Sequence, residues 1–345
     1  MSQDKTLTLI GAIPSPYTRK MVALLRYRHL KYRIIWDDPM AVLKRMKIAL
    51  PKVALLPTCL MLDEDGETKA VCDSTPIIRR LDAEFTERRV IPADPALAFI
   101  DYLLEDFADE WCTKYMFHYR WASAEDADNA GTLLPLFQKV DMPAEIFKQF
   151  KPFVTERQVS RLHVVGSSEV TAPVIDASYR RFLSAMESHL ELQPFMLGQR
   201  PGACDFALYG QLTQLVGFDP SSRAIAHAIA PRVVAWTGLM EDQCGLEPTT
   251  DAWNTLEEAP LSLTVLLNEV GRVYAPALLA NAKALDKGDK TWQAPIDGSL
   301  WSQQTFAYQG KCLKWINNEY QQLSTTDKLK VDGLLAGTGC EVLLS

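Results

Sequence analysis

The strand signals of this chain crowd into its first 86 residues, and the remainder has to fold without them. Two short apolar runs, Thr6 to Ala12 and Tyr32 to Trp36, have the length and composition of buried strands. Between them, IPSPYTRKMVALL (Ile13 to Leu25) opens a helix. Ser15 is placed to cap it, and Pro16 fills the first position, where a missing N–H costs nothing. Met21, Val22, Leu24 and Leu25 supply the inward stripe. Next, CLML (Cys59 to Leu62) and TKAVC (Thr68 to Cys72) flank the turn DEDGE, a hairpin signal with Gly66 at the bend. A helix follows from Asp73 or Ser74, with Pro76 in its first turn and Ile77, Ile78 and Leu81 facing inward. Strand, helix, strand, hairpin and helix make a compact α/β unit. The mixed stretch Asp37 to Pro51 carries no assigned element.

A polar linker around RRVIPADP separates this unit from purely helical patterns at Phe99 to Trp121, Ser178 to Leu192, Ala203 to Val216 and Ala224 to Met240. Ala122 to Pro173 is less periodic and reads as a loop-rich excursion with one or two short helices. After Pro248, helical stretches near Leu261 to Leu285 and Trp301 to Leu323 flank a turn region, DKGDKTWQAPIDGS. The expected fold class is α/β plus all-α: an α/β domain over residues 1–86, a helical domain over 97–248 and a helical extension over 249–345 packed on the body.

With 345 residues, 48% hydrophobic and 23% charged, the chain has room for at least two packed units. A net charge of −7 without a concentrated basic face argues against nucleic acid as the main partner. No apolar run approaches the ~20 residues of a membrane helix, so no membrane partner is expected. The start MSQDKTLTLIGA lacks the pattern of a secretory leader. Seven scattered cysteines, odd in number and never in a C-x-x-C pair, disfavour a disulfide framework and a zinc site. The expectation is a cytoplasmic protein without a metal.

Ser15-Pro16-Tyr17-Thr18 occupies the frame in which thioredoxin-type redox proteins carry Cys-Pro-Tyr-Cys. Leu55-Leu56-Pro57 precedes a hairpin strand, Asp73-Ser74 starts the next helix, GQRPGACDFALYGQL (Gly198 to Leu212) places Asp205 before an apolar helix, and APRVVAW (Ala230 to Trp236) follows. In this order and spacing the set resembles the glutathione transferase superfamily over roughly Thr6 to Leu246. The resemblance implies a thioredoxin-like N-terminal domain, a helical C-terminal domain, glutathione as co-substrate, a role in detoxification and a homodimer. It further implies a cis Pro57 that presents the Leu56 backbone to the tripeptide, and Asp73 with Ser74 as the site of the γ-glutamyl end. The chain departs from the family pattern at Gly202, where a Ser or Thr cap is frequent, and at Leu55, where a glutathione-contacting Lys is frequent. A weaker helix cap is therefore expected, and the glycine-carboxylate contact has no candidate. The ~95 residues after Pro248 exceed the usual family length.

A thiol has a reference pKa near 8.5, so glutathione chemistry begins with stabilising the thiolate. A hydroxyl at a helix N-terminus, backed by backbone N–H groups, does this. Ser15 and Tyr17 are the two candidate donors, and both also read as ordinary capping and covering residues. Thr18 is expected to be structural. On the helix LLEDFADEWCTKYMFHYRW, Trp111, Tyr115 and His118 recur at helical spacing as an aromatic stripe, a pattern found more often in a core. The resemblance places this helix across the cleft from Ser15 and implies that they are second-substrate residues. Two functions compete: attack of the activated thiol on a small hydrophobic electrophile (conjugation, dehalogenation, ether cleavage or isomerisation), and a transferase-like scaffold for protein interaction.

Overall fold

A computed structural model of the chain describes residues 6–249 and 252–344. Strand β1 (Leu7–Gly11) is buried along its length and pairs in parallel with β2 (Tyr32–Trp36). Its other edge pairs antiparallel with β3 (Thr58–Leu62), which pairs antiparallel with β4 (Thr68–Val71), giving a mixed sheet of order β2-β1-β3-β4. Helix α1 (Pro16–Tyr27) joins β1 to β2, and the Ser15 hydroxyl accepts the Thr18 N–H at 3.3 Å as its cap. Helix α2 (Pro39–Met46), capped by Asp38, fills the stretch that had no assigned element. It buries only Pro39, Val42 and Leu43, too few residues for a visible stripe. Helix α3 (Ser74–Glu84) closes the unit.

The helical part begins with α4 (Pro95–Phe107), which runs through a π turn at Ala108–Cys112 into α5 (Thr113–Ala122). The excursion expected to be loop-rich with one or two short helices holds two full ones, α6 (Ala124–Gln138) and α7 (Ala144–Val159). Helix α7 buries no residue completely, so its sequence has no stripe to display. Helices α8 (Ala172–Leu190) and α9 (Ala203–Leu215) follow. The single helix expected over Ala224 to Met240 is two, α10 (Pro220–Ile229) and α11 (Pro231–Leu239), because Pro231 starts a new helix.

The extension is not purely helical. Helix α12 (Leu261–Glu269) passes through a π turn (Val270–Tyr274) into α13 (Ala275–Lys287), and then β5 (Thr291–Ile296) and β6 (Ser299–Gln304) form an antiparallel hairpin. Its two-residue turn, Asp297-Gly298, has φ of 48° and 80°, the left-handed pair that Asp-Gly supplies in tight hairpins. Trp292, Ile296, Trp301 and Gln303 alternate inward, so the period-two signal was present, with Pro295 breaking its reading. Helices α14 (Ala307–Gln322) and α15 (Thr325–Leu335) pack on α4, and α12 packs on α8.

Two glycines set the spacing of this assembly. A Cβ on Gly202 would lie 2.4 Å from Asp101 Oδ1. That carboxylate accepts the Cys204 N–H at 3.0 Å, while Asp205 accepts the N–H groups of Gly202 and Met196 at 2.9 Å each. The cap that Gly202 lacks is thus supplied across the interface by α4, which corrects the expectation of a weak cap. A Cβ on Gly210 would sit 2.5 Å from the Pro16 carbonyl, so α9 crosses directly beneath the start of α1. Gly210→Ala is expected to destabilise the fold by about 1–3 kcal/mol through overpacking, read as a lower urea midpoint with unchanged slope.

Candidate functional site

The end of β1 and the start of α1 form one wall of a cavity of about 350 Å³. Gly11 allows this close turn, since a Cβ there would meet Thr18 Cγ2 at 2.5 Å. Ser15, 8% exposed, lines the cavity with Pro14, Leu56 and Trp36. Across it stand Met116, Phe117 and Trp121 of α5, Phe137 of α6, and Phe153 with Arg157 of α7. The lining is mostly apolar, and its size falls within the range of small-molecule sites, roughly 300–1,000 Å³. The Leu56–Pro57 bond is cis.

Ser15 accepts the Thr18 N–H and donates to no acceptor among the described residues, so its O–H remains available to a ligand. Tyr17 points elsewhere: its hydroxyl donates to the Asp109 carbonyl at 2.7 Å, and burial followed by the nearby Glu110 and Asp109 charges raises its pKa well above 10. Thr18 is fully buried.

Arg120 also reaches the cavity wall. Its guanidinium holds both oxygens of buried Asp219 at 2.8 and 2.9 Å, the Gln214 side chain at 2.8 Å and the Pro14 carbonyl at 3.4 Å. It therefore pins the loop bearing Ser15 to the helical part, with its charge already matched. Nothing local in the sequence marked Arg120, because its partners lie about a hundred residues away.

Asp73 and Ser74, expected to hold the γ-glutamyl end of the tripeptide, are hydrogen-bonded within the protein. Lys20, fully buried, donates to Ser74 Oγ at 3.1 Å, Glu105 Oε1 at 2.7 Å and Asp109 Oδ2 at 2.6 Å. Burial alone would depress its pKa, but the Asp109 and Glu105 carboxylates raise it above the ordinary lysine value. Asp73, in a left-handed conformation at φ 82°, accepts the Tyr308 hydroxyl of α14 at 2.6 Å. Neither Asp73 nor Ser74 lines the cavity that holds Ser15 and Leu56.

The aromatic residues proposed for a second-substrate wall lie elsewhere. Trp111 and Tyr115 have no exposed surface: the indole N–H of Trp111 reaches Tyr115 Oη at 3.1 Å, and its ring packs 5.3 Å from that of Trp301. Tyr115 shares a hydrogen bond with Ser178 at 2.7 Å. His118 pairs with Ser167 at 2.7 Å, and burial lowers its pKa. The same helix meets the cavity through Met116, Phe117 and Trp121 instead. Trp111 lies within the π turn, whose extra residue rotates the residues after it, Tyr115 and His118 among them, by about 100° relative to a straight α-helical count.

No group of His, Cys, Asp and Glu able to hold a metal ion occurs among the described residues. No helix there is long and apolar enough to cross a membrane.

Residues 9–89 match the family model described as glutathione S-transferase, N-terminal domain. No curated protein matches the chain. Among solved structures, it is similar to a glutathione S-transferase from Methylobacterium radiotolerans in complex with glutathione sulfonate, at 18% identity and a TM-score of 0.40 over 69% of this chain and 92% of that one. The β-etherase LigF of Sphingobium sp. strain SYK-6 gives 17% identity and 0.43 over 68% and 98%. FzlA of C. crescentus gives 16% and 0.40 over 72% and 97%.

The carboxyls around this site set a pH dependence. Burial followed by neighbouring carboxylates raises Asp101 and Glu110 to about 8. Burial raises Asp106 to about 7 despite its bond from Tyr274, and Asp205 to about 7. Each holds its proton more tightly folded than unfolded, so this stabilisation is complete below the ordinary carboxyl range and is lost as pH rises through 7 to 8. His118 and His189, depressed by burial from 6.5, oppose it only below that value. Between pH 6.5 and 8 the unfolding free energy is expected to fall by on the order of 5 kcal/mol in urea titrations. Asp101→Asn should flatten that slope.

Proposed function

We propose, from a chain whose residues 9–89 belong to the glutathione S-transferase superfamily, that it is a glutathione-dependent transferase using Ser15 as thiolate-stabilising donor. The observation that carries this reading is the available Ser15 O–H at the mouth of α1, facing an apolar cavity of about 350 Å³. Glutathione would place its sulfur against Ser15 and its cysteinyl backbone against Leu56, with an apolar electrophile beside Phe117 and Phe153. A shift of about two pKa units in the thiol needs ~2.7 kcal/mol, the size of one charge-assisted hydrogen bond plus a helix-terminus contribution. The thiolate then forms the carbon–sulfur bond and displaces a leaving group or adds to an activated carbon. The thiol's proton leaves to solvent. The seven free cysteines support a reducing cytoplasm, and the resemblance to the superfamily supports detoxification chemistry and a homodimer.

The scaffold reading keeps its place on one observation: Asp73 and Ser74, the proposed glutamyl contacts, are engaged by Tyr308 and Lys20. Calorimetric titration with reduced glutathione separates the two. The transferase reading expects saturable binding, with Ser15→Ala lowering turnover of an aryl halide about a hundredfold and leaving affinity nearly unchanged. Equal losses in turnover and affinity would sink the role given to Ser15. Absence of binding in both the wild type and Tyr308→Phe, where the hydroxyl on Asp73 is removed, would favour the scaffold.

A further inference from the structure

The mouth of the cavity is bordered by two surface lips of unusual composition. The first is residues 36–55, where Trp36, Met40, Met46, Leu50, Val53 and Leu55 are all exposed, Val53 by 59%. From Pro39 to Leu55 this lip carries Lys44, Arg45, Lys47 and Lys52 and no acidic residue, in a chain of net charge −7. Only Arg45 has an ion partner among the described residues, Asp37 at 3.3 Å. The second lip is the end of α6 with α7, exposing Phe137, Val140, Ile146 and Phe153. There Lys139, Arg157 and Arg161 have no ion partner among the described residues, whereas Lys148 meets Glu145 and Lys151 meets Asp128. Asp37 and Asp38 at the start of the first lip, and Asp141 and Glu156 on the second, are the remaining acids. Trp36, Phe137 and Phe153 line the same cavity, so the two lips face one opening.

We infer that this pair of lips is a docking surface for an anionic lipid bilayer, on which the chain lies with the cavity mouth turned toward the membrane. Exposed Trp, Phe, Met and Leu side chains enter the headgroup and acyl boundary, while interspersed Lys and Arg meet the phosphates. Nearly half of the large apolar side chains exposed among the described residues fall on these two segments, a concentration that scattered surface residues do not produce. The absence of acids from Pro39 to Leu55 selects an anionic over a neutral surface. A bilayer contact differs from a bilayer crossing, so the lack of a spanning helix bears on only one of them. The docking rests on the surface alone and does not depend on the transferase reading.

The test is sedimentation of the full chain with vesicles of phosphatidylcholine, with and without about one-third phosphatidylglycerol. Binding to the anionic vesicles, weak binding to the neutral ones, and loss of binding as salt is raised are expected. Leu50→Ser with Val53→Ser, and separately Lys44→Glu with Lys47→Glu, should each weaken binding at least about tenfold, with thermal unfolding unchanged because all four side chains are exposed. No binding at low salt, binding by both variants as tight as that of the wild type, or salt-insensitive binding to neutral vesicles would overturn the inference. Self-association at low salt that the Leu50 and Val53 changes abolish, without vesicle binding, would overturn it in favour of a second copy.

Discussion

The ammonium of Lys20 joins the parts of this molecule. It sits on α1 with no solvent and donates to Ser74 on α3, to Glu105 on α4 and to Asp109 in the π turn. One positive charge faces two carboxylates, and one oxygen of each, Glu105 Oε2 and Asp109 Oδ1, has no other partner. Such a group holds together only while every member is in place, because removing one partner leaves an uncompensated charge in an apolar interior. The orientation of α1, and with it Ser15 five residues earlier, is therefore referred to the helical part as well as to its own sheet. Arg120 makes the second tie by holding the Pro14 carbonyl and Asp219.

The extension is bound into the same structure. Trp301 of β6 packs on Trp111, and Gln303 accepts from Lys114 at 3.0 Å and donates to the Val164 carbonyl at 2.8 Å. Tyr274 donates to buried Asp106 across the α4 face. These groups are polar and enclosed, so their geometry is more demanding than that of the surrounding apolar contacts. The result is a helix, α4 through α5, with acidic side chains facing inward along much of one side and each met by a partner from α1, α9 or the extension.

What the sequence disclosed follows from the range of the forces involved. Ser15 as a cap, the β3–β4 hairpin and the start of α3 depend on neighbours within a few residues, and each was legible. Of the two readings open for Trp111, Tyr115 and His118, core and second-substrate wall, the structure takes the core. Which residues of that helix reach the cavity was not legible, because a π turn at Ala108–Cys112 leaves no mark in composition yet turns the following helix. Helix α7 was unreadable for the opposite reason: with no residue buried, its sequence is not under the periodic constraint that betrays a helix. Helix α6 does bury a stripe, but it is made of Asp126, Ala127, Ala130, Gly131 and Pro135, small or polar residues that a search for hydrophobic periodicity passes over. The β5–β6 hairpin carried its Asp297-Gly298 signal in plain view, but Pro295 spoke against a strand, and only a two-stranded ribbon with free edges accommodates both. Lys20 and Arg120 find their partners at separations of 54 to 106 residues, beyond any local pattern.

The Tyr308 to Asp73 bond spans 235 residues of chain. Domains fold as they emerge, the N-terminal one first, at about 5–20 residues per second during synthesis. Asp73 and Ser74 therefore leave the ribosome well before α14 exists, and for that interval the start of α3 stands uncovered by the extension. The extension is thus a late-arriving cover: on that order of synthesis the α/β unit and the first helices can form before α14 is present to engage Asp73.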